Sequence, residues 1–267
     1  MSGKELYQKK RRLKSQKNRR CQKDLSESKQ NHISKDGKMQ KQSTSPSRKT
    51  TKIPRDIKKY IEFEHEDAKN TLVRIMSSDN PDLILGKYIR IGFVLEYLPE
   101  LAQCMIEIQE PMHHKYTIGQ HCLLTCKYVP KNNLTLRLAA LFHDLGKLHT
   151  RKKIGGKLTY HMHEYASARI AKDRLKRLGF SPKVINEVCF LIVNHMYYYD
   201  RKWNDSTVRK FIKKMGITKD TNLDEVPVFI LRQCDRKATG LKVPISQKQK
   251  DFQARIKRIL NEESNNN

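Results

Sequence analysis

The sharpest chemical signal in this sequence is the pair His143-Asp144. It directly follows the run Leu138-Ala139-Ala140-Leu141-Phe142, and Leu145-Gly146-Lys147 comes next. Two metal-binding residue types at the end of so apolar a stretch fall where a helix is most buried. Burying either one unpaired costs roughly 2–7 kcal/mol for a neutral polar group and more for a charge, so a strong partner is required. A divalent cation serves both at once, since imidazole nitrogen and carboxylate oxygen suit Mn, Ni, Fe, Mg or Zn to different degrees. Further candidate ligands are spread along the chain: His121, His163 with Glu164 beside it, His195 and Asp235.

Taken singly, each of these has a plainer explanation. A lone histidine on an apolar helix is ordinarily a hydrogen-bonded core residue. His195 at a helix end is also a cation favoured by the helix dipole, and Asp235 has Arg232 and Arg236 within pairing distance in sequence. The chain has ten histidines, and His113, His114, His149 and His161 need no special role.

The elements that must position these side chains are helical. Apolar residues at three- and four-residue steps begin near Asp56 (Ile57, Tyr60, Ile61, Phe63, then Leu72, Val73, Ile75), as one buried helix face requires. Asn80-Pro81 breaks the chain, and apolar stretches follow up to Pro99 and Pro111. Helices are predicted over 117–129, 134–143 and 163–178, the last closed by Gly179. Others are predicted over 186–195, with Pro182 in the lead-in, and up to Met215, capped by Asp205 or Ser206 and ended by Gly216. Two more cover 227–238 and 247–262. Only 154–160, with Gly155-Gly156, resembles a short hairpin. The expected fold is all-α, a bundle able to aim ligands from several helices at one point.

Composition divides the chain unevenly. It has 267 residues and a formal net charge of +27, and 37% of it is apolar. Residues 1–50 hold 16 Lys and Arg against four acids, a net +12. A segment so rich in Lys, Arg, Gln and Ser cannot bury enough apolar surface to offset its ordering entropy, so a disordered basic tail is expected over 1–54. Behind it come a helical arm (55–110), the main domain (111–240) and a C-terminal helix (241–267). A charge this large favours polyanionic partners: RNA, DNA or an anionic membrane. No apolar run of 18 residues and no apolar leader are present, which argues against a transmembrane helix or secretory signal. The six cysteines lack CxxC spacing and read as reduced, buried residues, with Cys122 and Cys126 more readily explained by packing than by metal. A cytoplasmic, or nuclear, location is expected.

Two features resolve the ambiguity of the single residues. The order His121…His143-Asp144…Asp235 resembles the H…HD…D order of the HD superfamily of metal-dependent phosphohydrolases. More specifically, residues 90–245 look like the HD region of bacterial tRNA nucleotidyltransferases and poly(A) polymerases. The matching stretches are LEYLPEL (95–101), HHKYTIGQHCLLT (113–125), LRLAALFHDLGKLHTR (136–151), YHMHEYASARIAK (160–172), FLIVNHMYYYDRKWNDSTVRKFI (190–212) and LRQCDRKATG (231–240). The segment YTIGQHCL also resembles the HD part of protein uridylyltransferases. Those enzymes place a nucleotidyltransferase head before this region, marked by a Gly-Ser turn and an Asp-x-Asp pair. Residues 1–110 offer neither, and Glu64-His65-Glu66-Asp67 lacks the glycine turn. Nucleotide addition is therefore not expected of this chain.

The resemblance implies an HD-domain helical bundle that hydrolyses phosphomonoesters, cyclic phosphodiesters or nucleotides, including RNA ends, with one or two divalent ions. It implies that His121, His143, Asp144 and Asp235 hold a first ion, that His163 and His195 match a second-ion position, and that Asp144 bridges. A bound ion lowers the pKa of its water towards ~7, and two ions ~3.5–4 Å apart clamp a phosphate and its leaving oxygen. Lys147, a helical turn from Asp144, either meets a phosphate oxygen as a point charge or is an ordinary exposed lysine. Glu164 either orients His163 or favours a helix N-terminus. Tyr197, Tyr198, Tyr199, Arg201, Lys202 and Trp203 form either a stacking platform for nucleotide or RNA or, the favoured alternative, a loop whose rings pack on the bundle. The competing function is a non-catalytic RNA-binding module, working alone or with a separate nucleotidyltransferase head.

Overall fold

Helix caps and close glycine contacts set where each element begins and ends. The computed structural model describes residues 68–90, 92–109, 115–197, 203–241 and 247–265. The basic segment 1–54, the apolar pattern at 57–63, and His113, His114, Tyr198, Tyr199, Arg201 and Lys202 lie outside the described residues.

Four helices come first: α1 (Ala68–Met76), α2 (Pro81–Arg90), α3 (Phe93–Tyr97) and α4 (Pro99–Cys104). Pro81 and Pro99 each open a helix, where a missing N–H is harmless. Helix α5 (Ile118–Tyr128) starts from a reciprocal cap: the Thr117 hydroxyl accepts from Gln120 N, and the Gln120 side chain accepts from Thr117 N. Helix α6 (Leu134–Phe142) is capped by Asn133, and every residue from Leu136 to Phe142 is buried. A helix hydrophobic all round belongs in the middle, and α6 packs against α1, α5, the two helices α8 (His163–Arg177) and α9 (Pro182–Asn194), and α11 (Pro227–Ala238). The one cation inside this wall, Arg137, donates to the carbonyls of Val129, Met76 and Ser78, fixing α6 to the end of α1.

Beyond α6 the chain turns through His143–Gly146 into the short α7 (Lys147–Thr150), then into β1 (Lys152–Ile154) and β2 (Lys157–Thr159). The hairpin begins two residues earlier than the 154–160 expected. Gly155 and Gly156 both have positive φ and form the turn itself, so the strands lie symmetrically about them. Two other boundaries also move. Helix α9 begins at Pro182 rather than 186, because Ser181 caps it and proline takes the first position. Helix α10 (Asp205–Met215) is capped by Asn204, whose side chain accepts from Thr207 N at 2.9 Å. The expected caps do otherwise: Asp205 pairs with Arg255 and Arg258.

A second, smaller core gathers Val208, Phe211 and Ile212 of α10, Leu223 of a 3₁₀ turn, Val228 and Phe229 of α11, and Phe252, Ile256 and Ile259 of α12 (Gln247–Asn265). Tyr197 packs in it against Phe211 and Phe229, and Trp203 against Phe252. Both rings are half-buried against this core, in line with the favoured alternative. Among the described residues no helix is long and apolar enough to cross a membrane. Cys104, Cys122, Cys126 and Cys234 are buried with free thiols, and burial pushes the Cys122 and Cys126 thiols up, so packing accounts for both; Cys21 lies outside the described residues.

The turn after α6 sits directly on α8. A Cβ at Gly146 would lie 2.3 Å from the His163 carbonyl and 2.4 Å from Ser167 N, both backbone atoms. Gly146 N also donates to the Ser167 hydroxyl at 2.8 Å. Gly146→Ala is expected to destabilise the fold by about 3 kcal/mol, the upper range for overpacking a tight contact. Urea unfolding checks this, and an unchanged midpoint would contradict the close approach.

Candidate metal centre

Histidine and aspartate side chains from five parts of the fold converge at the end of α6. His143 and Asp144 leave α6 itself, His121 lies inside α5, and Asp235 near the end of α11. His163 opens α8 and His195 follows the last residue of α9. His121, His143, Asp144, His163 and His195 are buried, and the Asp235 side chain is 13% exposed.

The arrangement falls into two halves hinged on Asp144. On one side, His121 Nε2 lies 3.3 Å from His143 Nε2, and the two are 3.4 and 3.5 Å from Asp144 Oδ2. Asp235 Oδ1 is 2.9 Å from His121 Nε2 and 3.6 Å from His143 Nε2. On the other side, Asp144 Oδ1 is 3.1 Å from His163 Nε2 and 3.9 Å from His195 Nε2, and those two nitrogens are 3.4 Å apart. Each carboxylate oxygen of Asp144 thus faces its own pair of imidazoles. His121, His143 and Asp144 form one group, and Asp144, His163 and His195 another, whose ligand atoms all lie within 4.8 Å of one another.

Three of the rings share one orienting device. His143 Nδ1 donates to Ala140 O at 2.8 Å, His163 Nδ1 to Tyr160 O at 2.8 Å, and His195 Nδ1 to Ile192 O at 2.7 Å. A carbonyl only accepts, so each Nδ1 carries the proton and the neutral ring offers a lone pair at Nε2. His163 and His195 then point lone pairs at each other, and two acceptors cannot hydrogen-bond. A cation between them removes the conflict. Metal–ligand bonds of about 2.0–2.2 Å place neighbouring ligand atoms roughly 2.8–3.6 Å apart. All the nitrogen and oxygen separations given above meet that, save 3.9 Å from His195 to Asp144. The residues fit a divalent ion.

Electrostatics favour the forms that a cation needs at three of the four candidate ligands perturbed here. Burial alone would push Asp144 up, but Lys147 and His143 outweigh it and hold the carboxyl well below the usual range. Asp235 is likewise held low against burial by His121 and His143. Burial and the neighbouring His143 push His195 down to about 3, so it stays neutral. At His143 burial is outweighed by Asp144 and Asp235, which raise it.

Of the two expectations for Lys147, the exposed one fails. It is buried, with Nζ 2.7 Å from Asp144 Oδ2 and 2.8 Å from Gln109 Oε1, and 5.4 Å from the Tyr160 ring centroid. The exposed-lysine alternative is wrong because the tight turn at Gly146 swings α7 back over the site. Glu164 does not orient His163, since its carboxylate is 3.6 Å from Nδ1 and the Tyr160 carbonyl holds that position. Arg232 pairs with Asp235 at 3.7 Å, as the sequence allows, and also reaches the His195 carbonyl and Met196 Sδ. Sequence reasoning missed Gln109 and Tyr160; neither carries a pattern that distinguishes it from its neighbours. Met162, just before His163, has φ +64°, a left-handed conformation unusual for a residue with a side chain. His149 and His161 are exposed.

In front of the histidines lies a cavity of about 740 Å³, lined by Asp144, Lys147, Tyr160, His195, Arg232 and Arg236 among others. Its acidic floor suits a cation, and the basic residues around it suit an anion.

Comparison with known proteins agrees with this geometry. Residues 112–239 match the family model of the HD domain, a span that contains all six converging residues. The chain is 34% identical over 137 residues to a CC-adding tRNA nucleotidyltransferase of Thermus thermophilus, covering 49% of this chain and 31% of that protein. It is 24% identical over 156 residues to a bifunctional uridylyltransferase/uridylyl-removing enzyme of Bradyrhizobium diazoefficiens, covering 50% of this chain and 16% of that protein. The chain thus spans a third or less of the length of these relatives.

Replacing Lys147 leaves a buried carboxylate short of its nearest cation. Lys147→Met is expected to destabilise the chelator-treated protein by about 2–3 kcal/mol, below the full cost of breaking a buried pair because four imidazoles remain. Urea unfolding in EDTA reads this, and part of the loss should return when Mn²⁺ is added.

Proposed function

We propose that this chain is an HD-type metal-dependent phosphohydrolase, a phosphodiesterase or phosphatase acting on nucleotides or RNA ends. His121, His143, Asp144 and Asp235 hold one divalent ion, and Asp144, His163 and His195 hold a second. Mn, Ni, Fe, Mg and Zn all suit this nitrogen and oxygen donor set. The observation that carries the proposal is the division of Asp144, each of whose oxygens meets a separate pair of histidine Nε2 atoms. The HD-domain match and the names of the two relatives, one for addition to tRNA and one for uridylyl removal, direct the choice of substrate towards RNA and nucleotidyl groups.

A bound ion would supply a more acidic water at neutral pH and Lewis acidity towards a phosphate oxygen. The chain's own residues do the rest. Backbone carbonyls hold three imidazoles with Nε2 facing inward, so those rings are oriented before an ion binds. Asp144 stays ionised because Lys147 lies against it. Lys147 also lines the cavity, where its ammonium is placed to meet a phosphate oxygen as charge builds there. The basic segment 1–54 adds affinity for nucleic acid, and the setting is cytoplasmic.

One observation favours the alternative of a non-catalytic RNA-binding module, alone or partnering a separate nucleotidyltransferase. Lys147 neutralises Asp144 without any ion. Metal content separates the two readings. The untagged protein should retain Mn, Ni, Fe or Zn in stoichiometric amount by plasma emission and hydrolyse bis-p-nitrophenyl phosphate with Mn²⁺ or Ni²⁺. The double variant His143→Ala/Asp144→Ala should lose the metal and at least about a thousand-fold in rate, as when a catalytic unit is dismantled. Hydrolysis that survives this double change would sink the enzyme reading, and protein without metal or activity would leave the binding module.

A further inference from the structure

The stretch between Asp144 and Glu164 contains no acidic residue but carries Lys147, Arg151, Lys152, Lys153 and Lys157. Two of these cations are already engaged: Lys147 by Asp144 and Arg151 by Glu107 at 2.7 Å. Lys152, Lys153 and Lys157 are exposed, and none of them makes an ion pair among the described residues. All three sit on the β1–β2 hairpin.

The hairpin is joined directly to the candidate site. Lys152 lies opposite Thr159 and Lys153 opposite Leu158 in the ladder, and both Thr159 and Leu158 line the cavity. The next residue, Tyr160, places its ring over Lys147 and gives its carbonyl to His163 Nδ1. Arg232 and Arg236 also line the cavity. Cationic charge therefore continues from the cavity out along the hairpin.

Exposed unpaired lysines on so short a hairpin do nothing for packing. Their mutual repulsion is relieved by a polyanion. From this we infer that the hairpin is a binding track for a single-stranded nucleic acid. On that basis the substrate is a strand whose terminal phosphate enters the cavity and whose following phosphates run over Lys152, Lys153 and Lys157. The choice of substrate rests on the phosphohydrolase reading; binding of the strand does not. An anionic membrane is the less suitable partner, since the hairpin offers Ile154 as its one exposed large apolar side chain and leads into a concave site.

The test compares the full chain with its Lys152→Gln/Lys153→Gln/Lys157→Gln variant. Binding of a labelled 12-nucleotide RNA, and of the matching DNA, is followed by anisotropy across a salt series in chelator. Loss of three phosphate contacts should lower the slope of log K against log salt by about 2, at roughly 0.7 per contact on a single strand. With Mn²⁺, kcat/KM on the RNA should fall about tenfold, while bis-p-nitrophenyl phosphate, which has no strand to extend, is hydrolysed as before. A slope change with both RNA and DNA, or with RNA alone, supports the track and says whether the sugar matters. An unchanged slope overturns it, as does an equal fall on the small ester, which would mark the hairpin as a support for the site. Weakened binding to phosphatidylserine vesicles with RNA binding intact overturns it in favour of a membrane. Absence of hydrolysis in the parent protein counts against the enzyme reading only, because the anisotropy series decides the track without turnover.

Discussion

The carboxylate of Asp144 is the constraint around which the described fold is arranged. It is buried, and both of its oxygens are engaged by groups that are cationic or can bind a cation. A buried charge left alone would be neutralised or expelled. Four imidazoles and an ammonium have to be brought to it from α5, α7, α8, α9 and the turn after α6. Helix ends do most of this. His143, His163 and His195 each stand at a helix boundary, where a ring can turn back to a carbonyl three residues earlier and still present its far nitrogen inward. The surrounding bundle reads as the scaffold that such an assembly needs.

Much of this was legible in the sequence, for identifiable reasons. The helix at 227–238 was bounded correctly because Pro227 can only start it, and Gly179 and Gly216 marked ends because each takes a positive φ. The apolar run before His143 foretold a buried helix end, and His121, His143, Asp144 and Asp235 do converge, with His163 and His195 on the other side of Asp144. Whether Lys147 is exposed was not legible, because burial there depends on the Gly146 contact with α8, a tertiary fact with no local periodicity. Of the two readings of Glu164 the helix N-terminus holds, since it lies in the first turn of α8. That Tyr160 rather than Glu164 orients His163 was not legible, because a backbone carbonyl leaves no trace in residue identity. The aromatic run after His195 showed its rings but not their direction, and Tyr197 and Trp203 proved to face the second core.

All six converging residues fall within the span that matches the HD domain, whereas α12 lies beyond it. That helix is nevertheless tied to the site through α11. On α11, Leu231 and Cys234 belong to the main core, Val228 and Phe229 to the second core, and Asp235 reaches His121.

Helix α11 therefore acts as a girder shared by two rooms, and its position is set from both. Damage to α12 far from any histidine, such as the loss of Phe252 from against Phe229, would tilt the girder and draw the Asp235 carboxylate off its neighbour. Remote lesions in this protein would then be felt at Asp235 as well as in the second core. The C-terminal helix is as much a part of the site's tolerances as the residues that touch it.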